Sequence, residues 1–238
     1  YQTGICESHD LLNWQRLGLI MARDPADPVT RHNIACASIL RENDLRSPAR
    51  LVKVDGHYVA AWHAYPSPGY EEGPAVIGLA FSKDFMRWER GPVILRAEDG
   101  AEWERGGLYK PYLVKVGDTF HLYYNAKTAG TPWKEQTGLA ISKDLKRWTR
   151  HPASPLLRFG PKGAPDDRFA SDPVVVTHEG KWAMFYFGLS TDGFARDLIA
   201  LGDSPTAFTK QSEVLVDVGP PGSIDEKYAH KPAVIWHD

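Results

Sequence analysis

A short segment with serine, aspartate and tryptophan at fixed spacing, Ser-x-Asp-x-x-x-Trp, recurs along the chain. Its copies lie at 82–88, 142–148, 8–14 and, in degenerate form, 204–208. The two best copies each follow a short apolar run, which is typical of a β-strand that ends in a polar turn and restarts at the tryptophan. A repeat of about sixty residues restricts the fold to similar units placed side by side.

A second marker is a proline that opens an apolar run. These prolines are Pro48, Pro111, Pro173 and Pro232, separated by 63, 62 and 59 residues. A glycine turn and an aromatic strand follow each of the first three prolines, which gives four antiparallel strands per repeat. We therefore predict an all-β fold, a five-bladed β-propeller with four-stranded antiparallel blades whose inner strands open on a central channel.

The whole chain, residues 1–238, is predicted to be a single propeller domain. Its blade portions are expected at about 1–30, 33–96, 100–158, 165–217 and 224–238. The phase of the repeat places the first residue halfway through a blade and the last one strand into another, so the terminal blades are predicted to be incomplete. We expect strands 3–8 and 231–237 in different, neighbouring blades; the alternative is a closed ring of four blades in which both ends share one blade.

Composition excludes several classes of partner. Lys and Arg total 28 against 30 for Asp and Glu, so no positive charge is in excess for nucleic acid. Cys6 and Cys36 lie outside any Cys/His cluster, and no phosphate-binding loop or metal-binding helix motif is found. We therefore expect neither metal nor cofactor. No apolar run is long enough to span a bilayer, so we expect no membrane partner, and the compartment stays open.

The repeated inner strand that opens on a proline dipeptide, together with the Ser-x-Asp-x-x-x-Trp outer turn, resembles the five-bladed propeller glycoside hydrolases over nearly the whole chain. That group includes the family 43 arabinanases and xylosidases and the invertases and fructanases. The resemblance implies a glycosidase acting on an oligosaccharide or polysaccharide. Family 43 enzymes often show an acid next to the proline, and 170–173 keeps one, whereas 46–48 and 109–111 do not. The invertase-like triplet 23–25 has the phase of an outer turn.

Glycoside cleavage usually requires two carboxyl groups on opposite sides of the scissile bond. Asp172 opens an inner strand, and Glu104 lies just before another. Aligning Ser142 with Ser204 places Glu135 and Asp197 at equivalent positions at the entrance to the third strand. We predict Asp172 as one catalytic carboxylate, paired with Glu135, Glu104 or Asp197.

The expected sugar-binding groups lie near the inner-strand prolines. They are Arg46, Tyr109, Lys110, His230 and Lys231, with Trp133 in a turn as a stacking residue. The cations suggest a substrate that carries a carboxylate or sulfate. Salt bridges from these cations to Asp172 and its neighbours are the alternative explanation, with the same sequence pattern. They also leave two alternatives to a hydrolase: a carbohydrate-binding propeller without activity, and a sugar phosphorylase with a phosphate pocket.

Overall fold

The computed structural model describes residues 1–236, so His237, at the end of the predicted strand 231–237, lies outside the described residues. The first strands form two sheets. One is the antiparallel pair β1 (Thr3–Glu7) and β2 (Gln15–Met21), and the next holds β3 (Ala35–Ile39), β4 (Lys53–Val54), β5 (His57–Ala64), β6 (Val76–Ser82) and β7 (Glu89–Leu95). In the second sheet the order is β3-β5-β6-β7, and β4 also pairs with β5.

Two further groups of consecutive antiparallel strands follow. They are β8 (Gly107–Val116), β9 (Thr119–Lys127), β10 (Glu135–Ser142) and β11 (Thr149–Arg150), and then β12 (Phe169–His178), β13 (Lys181–Leu189), β14 (Ala195–Ser204) and β15 (Ala207–Lys210). A single parallel pair, Glu135 with Phe169, joins the two groups. The helical content of the described residues is two 3₁₀ turns, Ala97–Asp99 and Glu102–Glu104. The predicted all-β class is confirmed.

Hydrogen bonds within the Ser-x-Asp-x-x-x-Trp segment explain why it recurs. Oδ1 of Asp84 accepts the backbone N–H of Arg87 at 2.8 Å, and the indole N–H of Trp88 donates to the carbonyl of Phe85 at 2.8 Å. The copies at 8–14 and 142–148 make the same contacts. The segment is therefore a self-capped turn that reverses the chain between neighbouring strands.

Glycines in β6 and β10 lie against large rings of the preceding strand. A Cβ on Gly78 would lie 2.1 Å from the Trp62 ring, and a Cβ on Gly138 would lie 2.6 Å from the Tyr124 ring. The ring of Trp103 also stacks on Tyr124, with centroids 6.5 Å apart. Close approach of the rings to the backbone therefore requires glycine at these two positions.

The prediction that Pro48 opens an inner strand is wrong. The strand that pairs with β5 on the inner side is β3, and Pro48 lies in the connection from β3 to β4. A bridge between Arg41 and Leu51 closes this connection. The insertion shifts the first proline away from the position that Pro111 and Pro173 occupy in β8 and β12.

The carboxyl-terminal segment follows the group β12–β15 in the same way as β12 follows the group β8–β11. Tyr228 pairs in parallel with Ala195, just as Phe169 pairs with Glu135. No residue of 229–236 is assigned to a strand. Within residues 1–236, β1 has a ladder with β2 alone. Membership of the two ends in separate blades stays a prediction.

Candidate functional site

A cavity of about 410 Å³ lies between the inner strands. Its lining comes from four segments and one further side chain, namely 36–37 with Arg41, 110–112, 172–174, 231–235 and His63. Its volume lies within the range of small-ligand sites. The cavity lies where β3, β8, β12 and the segment 231–235 approach one another.

Three residues that project at the entrance share one backbone conformation. Lys110, Asp172 and Lys231 have φ values of 46°, 52° and 71°, and each is followed by proline. The ladders of β8 and β12 are interrupted at this point. The interruption turns these side chains out of the strand pattern and toward the cavity.

Side chains from the preceding group of strands hold this conformation. The N–H of Lys110 donates to Nδ1 of His63 at 3.2 Å, and the N–H of Asp172 donates to Oδ1 of Asn125 at 2.6 Å. Burial lowers the pKa of His63 to about 3, and the charge of Lys110 adds to this effect. The imidazole is therefore neutral at ordinary pH and keeps its acceptor nitrogen.

Asp172 lies between two lysines. Its Oδ2 is 2.9 Å from Nζ of Lys110 and 3.2 Å from Nζ of Lys231, and its Oδ1 accepts the amide of Asn125. Burial alone would raise the pKa of Asp172, but Lys110 and then Lys231 hold it below its ordinary value. In return Asp172 keeps the pKa of Lys110 raised against the effect of burial. Asp172 is thus ionised although its side chain is almost entirely buried.

Glu135 has the opposite environment. Its side chain is buried, the indole N–H of Trp133 donates to Oε1 at 3.0 Å, and the hydroxyl of Ser171 donates to Oε2 at 2.8 Å. No salt bridge to Glu135 is found among the described residues, and burial raises its pKa. Because Ser171 directly precedes Asp172, the structure brings the two predicted carboxyls to one entrance.

Asp197 lies near Asp172 and Glu135, but not at the strand position that the sequence alignment predicted. In the ladders Ala195, not Asp197, corresponds to Glu135, since Ala195 pairs with Tyr228 as Glu135 pairs with Phe169. The predicted equivalence is wrong because β14 has 10 residues and β10 has 8. Counting back from the following turn therefore misses by two positions.

Asp197 instead supports the carboxyl-terminal segment. Its carboxyl accepts the backbone N–H of Lys231, the contact that His63 and Asn125 provide in the earlier groups. The corresponding residue of β13 is Phe187, which has no side-chain acceptor. Burial, and then the charge of Asp172, raises the pKa of Asp197 to about 6.

Glu104 does not reach the cavity, which corrects its prediction as a catalytic acid. It is 1% exposed, pairs with Nε of Arg150 at 2.7 Å and accepts the hydroxyl of Tyr124 at 2.6 Å. The same arrangement recurs in the next group, where Asp166 pairs with Lys210 and accepts the hydroxyl of Tyr186. Glu104 is therefore part of a repeated ion pair that ties the segment before an inner strand to the outer strand of the same group.

Arg46 lies at the opposite end of the inner strands, so its predicted place at the entrance is wrong. Its guanidinium is 3.8 Å from Glu179, in the turn that follows β12, and 5.4 Å from the ring centroid of Trp236. The reason is the insertion that carries Pro48 away from the inner-strand position.

The remaining predicted binding residues surround the entrance. The rings of Tyr109 and Tyr65 lie 5.7 Å apart, and both tyrosines are fully buried. The hydroxyl of Tyr109 lies beside the carboxyl of Glu135, whereas that of Tyr65 has no hydrogen-bond partner among the described residues. The ring of His230 packs on Phe187 with centroids 4.7 Å apart. Trp133 stacks on Phe169 at 6.2 Å, which orients its indole toward Glu135. Tyr109, Lys110, Trp133, His230 and Lys231 therefore belong to one region of the molecule.

The sequence reasoning missed His63, Asn125 and Ser171. Each is a buried polar residue in an otherwise apolar strand. A buried polar side chain requires a hydrogen-bond partner. A polar residue within the apolar runs 58–64, 119–127 and 169–178 was therefore the sequence signal for these three positions. Among the described residues no group of three or more His, Cys, Asp or Glu is arranged to hold a metal ion. No helix in the described part of the chain is long and apolar enough to cross a membrane.

Comparison with known proteins identifies solved structures with the same fold. Two solved structures, a glycoside hydrolase and a complex of BT0996 with RGII, superpose on the whole of this chain and on 72% of theirs, each with a TM-score of 0.86, at 25% and 26% identity respectively. The Bombyx mori GH32 beta-fructofuranosidase BmSUC1 shares the fold at a TM-score of 0.58 and 19% identity, over 86% of this chain and 40% of that one. No curated protein sequence matches the chain.

The sequence itself matches the Glycosyl hydrolases family 32 N-terminal domain over residues 41–215. The match covers more than half of the chain, and it includes β8 to β14 with Asp172 and Glu135. The predicted resemblance to propeller glycoside hydrolases is thereby confirmed. The chain belongs to the family of the glycosyl hydrolases family 32 N-terminal domain and is a glycosidase.

Proposed function

We propose that the protein hydrolyses a glycosidic bond of an oligosaccharide or polysaccharide at the channel entrance, with Glu135 as proton donor and Asp172 as the paired carboxylate. The observation that carries this proposal is the contrast between the two acids. Burial raises the pKa of Glu135, whereas two lysines hold the pKa of Asp172 low. Two carboxyls whose environments separate their pKa values in this way are suited to acid and base roles.

The chemistry follows from these protonation states. Protonated Glu135 delivers its proton to the oxygen of the leaving sugar as the bond to the anomeric carbon breaks. The sugar left behind develops positive charge, which the ionised Asp172 stabilises while it attacks the anomeric carbon or activates a water molecule. Lys110 and Lys231 keep Asp172 ionised even though its side chain is only 8% exposed.

Other groups at the entrance serve the same reaction. Trp133 and Ser171 fix the two oxygens of Glu135, so its carboxyl has one orientation. The free hydroxyl of Tyr65 and the ring of His230 are suited to hydrogen bonds with the sugar. One of the similar structures is a complex with RGII, which supports an oligosaccharide as the substrate of this protein.

We also infer the predicted architecture of five blades with four strands each, in one domain. Segments from β3, β8, β12 and 231–235 border the channel, which supports four blades, and the pair β1–β2 supports a further one. The two complete groups, β8–β11 and β12–β15, each contain four antiparallel strands.

The test is activity on a panel of aryl glycosides and plant and microbial oligosaccharides, with and without phosphate. We expect hydrolysis that does not depend on phosphate, that is lost on every substrate in Asp172→Asn, and that is lost on oligosaccharides in Glu135→Gln. Cleavage that requires phosphate would identify a phosphorylase instead. Binding of oligosaccharides without cleavage by any preparation would identify a carbohydrate-binding propeller and would overturn the proposal.

A further inference from the structure

A second cavity, of about 430 Å³, lies next to the channel entrance. It is a cleft between two connections, 65–75 from β5 to β6 and 128–134 from β9 to β10. Its lining residues are 70–74, 105–106, 127–131 and Trp133. Trp133 is shared with the candidate site, since its indole N–H donates to Glu135. The cleft therefore adjoins the candidate proton donor.

One wall of the cleft has features of a sugar-binding surface. Tyr70 is 79% exposed, so core packing does not account for this aromatic residue. The ring of Trp133 forms part of the opposite side. Aromatic faces exposed on loops commonly bind ligands by stacking.

The floor of the cleft carries a fixed positive charge. Nζ of Lys127 lies 5.2 Å from the ring centroid of Trp133, 5.4 Å from that of Tyr65 and 6.0 Å from that of Tyr109. It also donates to the carbonyl of Glu71 at 3.2 Å. Lys127 thus ties the two connections together, and aromatic faces hold its ammonium group in place.

We propose that this cleft binds the sugar residue on the leaving-group side of the scissile bond, an assignment that rests on the proposed function. A proton donor must reach the oxygen of the leaving sugar. The bond from Trp133 to Glu135 places the cleft on the donor's side, whereas Asp172 faces the channel cavity. The substrate therefore runs from the channel cavity, across Glu135, into the cleft.

The charges in the cleft point to a neutral sugar. Glu71 and Glu72 line it together with Arg105 and Lys127, so two acids balance two bases. Carboxylates accept and cations donate hydrogen bonds, and a sugar hydroxyl does both.

The experiment compares two probes of the same sugar, a disaccharide and the glycosyl fluoride. Fluoride is too small a leaving group to occupy the cleft. We expect Tyr70→Ala to lower kcat/KM for the disaccharide about tenfold and to leave that for the fluoride within about twofold. Tyr70→Phe keeps the ring and should retain most of the activity, and Trp14→Ala, an exposed aromatic on β1–β2, serves as the control.

Equal effects of Tyr70→Ala on both probes, or no effect on either, would overturn the assignment. If the wild type cleaves neither probe, the proposed hydrolysis is rejected. Calorimetric binding of the disaccharides then tests separately whether the cleft binds a sugar. In that case weaker binding in Tyr70→Ala than in Trp14→Ala supports a sugar site, and equal binding rejects it.

Discussion

Lys110 places its amino group 2.9 Å from Oδ2 of Asp172, and the two residues occupy the same position in consecutive inner strands. Lys231, at that position in the next segment, reaches the same oxygen at 3.2 Å. A repeated backbone site therefore supplies an acid flanked by two bases. The arrangement favours the ionised form of a carboxylate that burial alone would neutralise.

Removal of the nearer lysine should make Asp172 harder to ionise. In Lys110→Met we expect the pKa of Asp172 to rise, because burial then acts against a weaker positive field. The acid limb of the pH profile of kcat/KM should then move to higher pH. Lys231 is farther from Oδ2 and is 52% exposed, so Lys231→Met should shift that limb less. Equal shifts in both variants would contradict the predicted order of the two lysines, and no shift in either would show that the lysines do not control this carboxylate.

Asp197 should make stability fall as the pH rises. Its pKa is about 6 in the folded protein against 3.8 ordinarily, so the folded state binds more protons between these values. The unfolding free energy should therefore decrease from about pH 4 to 6 and then level off. Asp197→Asn keeps an acceptor for the Lys231 N–H and removes the titration. Urea unfolding should show the free energy of unfolding of the variant rising relative to that of the wild type from pH 4 to 7. A difference between the two proteins that stays constant with pH would contradict the assignment.

Glu104 should matter for stability rather than for chemistry. Glu104→Ala leaves Arg150 and the hydroxyl of Tyr124 without their partner, which we expect to lower the unfolding free energy by about 3 kcal/mol. Glu98→Ala, in the neighbouring 3₁₀ turn and with a side chain 59% exposed, is the matched control and should cost under about 0.5 kcal/mol. Below the melting transition kcat should be unchanged, and a large loss of kcat in folded Glu104→Ala would return this acid to the active site.

The repeat made the strand-rich fold predictable. The Ser-x-Asp-x-x-x-Trp turn is local, because its hydrogen bonds span three residues, as from Asp84 to Arg87. Capping contacts within so short a segment can be predicted from the sequence. Asp172 was predictable for a similar reason, since it directly precedes an inner-strand proline.

Positions that depend on lengths between repeats were not predictable. The insertion between β3 and β4 shifted Pro48 and with it Arg46, and two extra residues in β14 displaced Asp197 from the Glu135 position. The prediction of Glu104 as a catalytic acid was wrong for another reason. A buried acid near an inner strand has the same sequence pattern whether it faces the cavity or pairs with Arg150. Only the three-dimensional partners separate these cases.

The most direct measurement of the central claim is the leaving-group dependence of Glu135→Gln. A variant without its proton donor should still cleave an activated 2,4-dinitrophenyl glycoside, whose leaving group departs without protonation. We expect kcat/KM to fall only a few-fold for that substrate and by about 10²–10⁴ for an unactivated alkyl glycoside or disaccharide. Equal losses on activated and unactivated substrates would contradict the assignment of Glu135 as the proton donor.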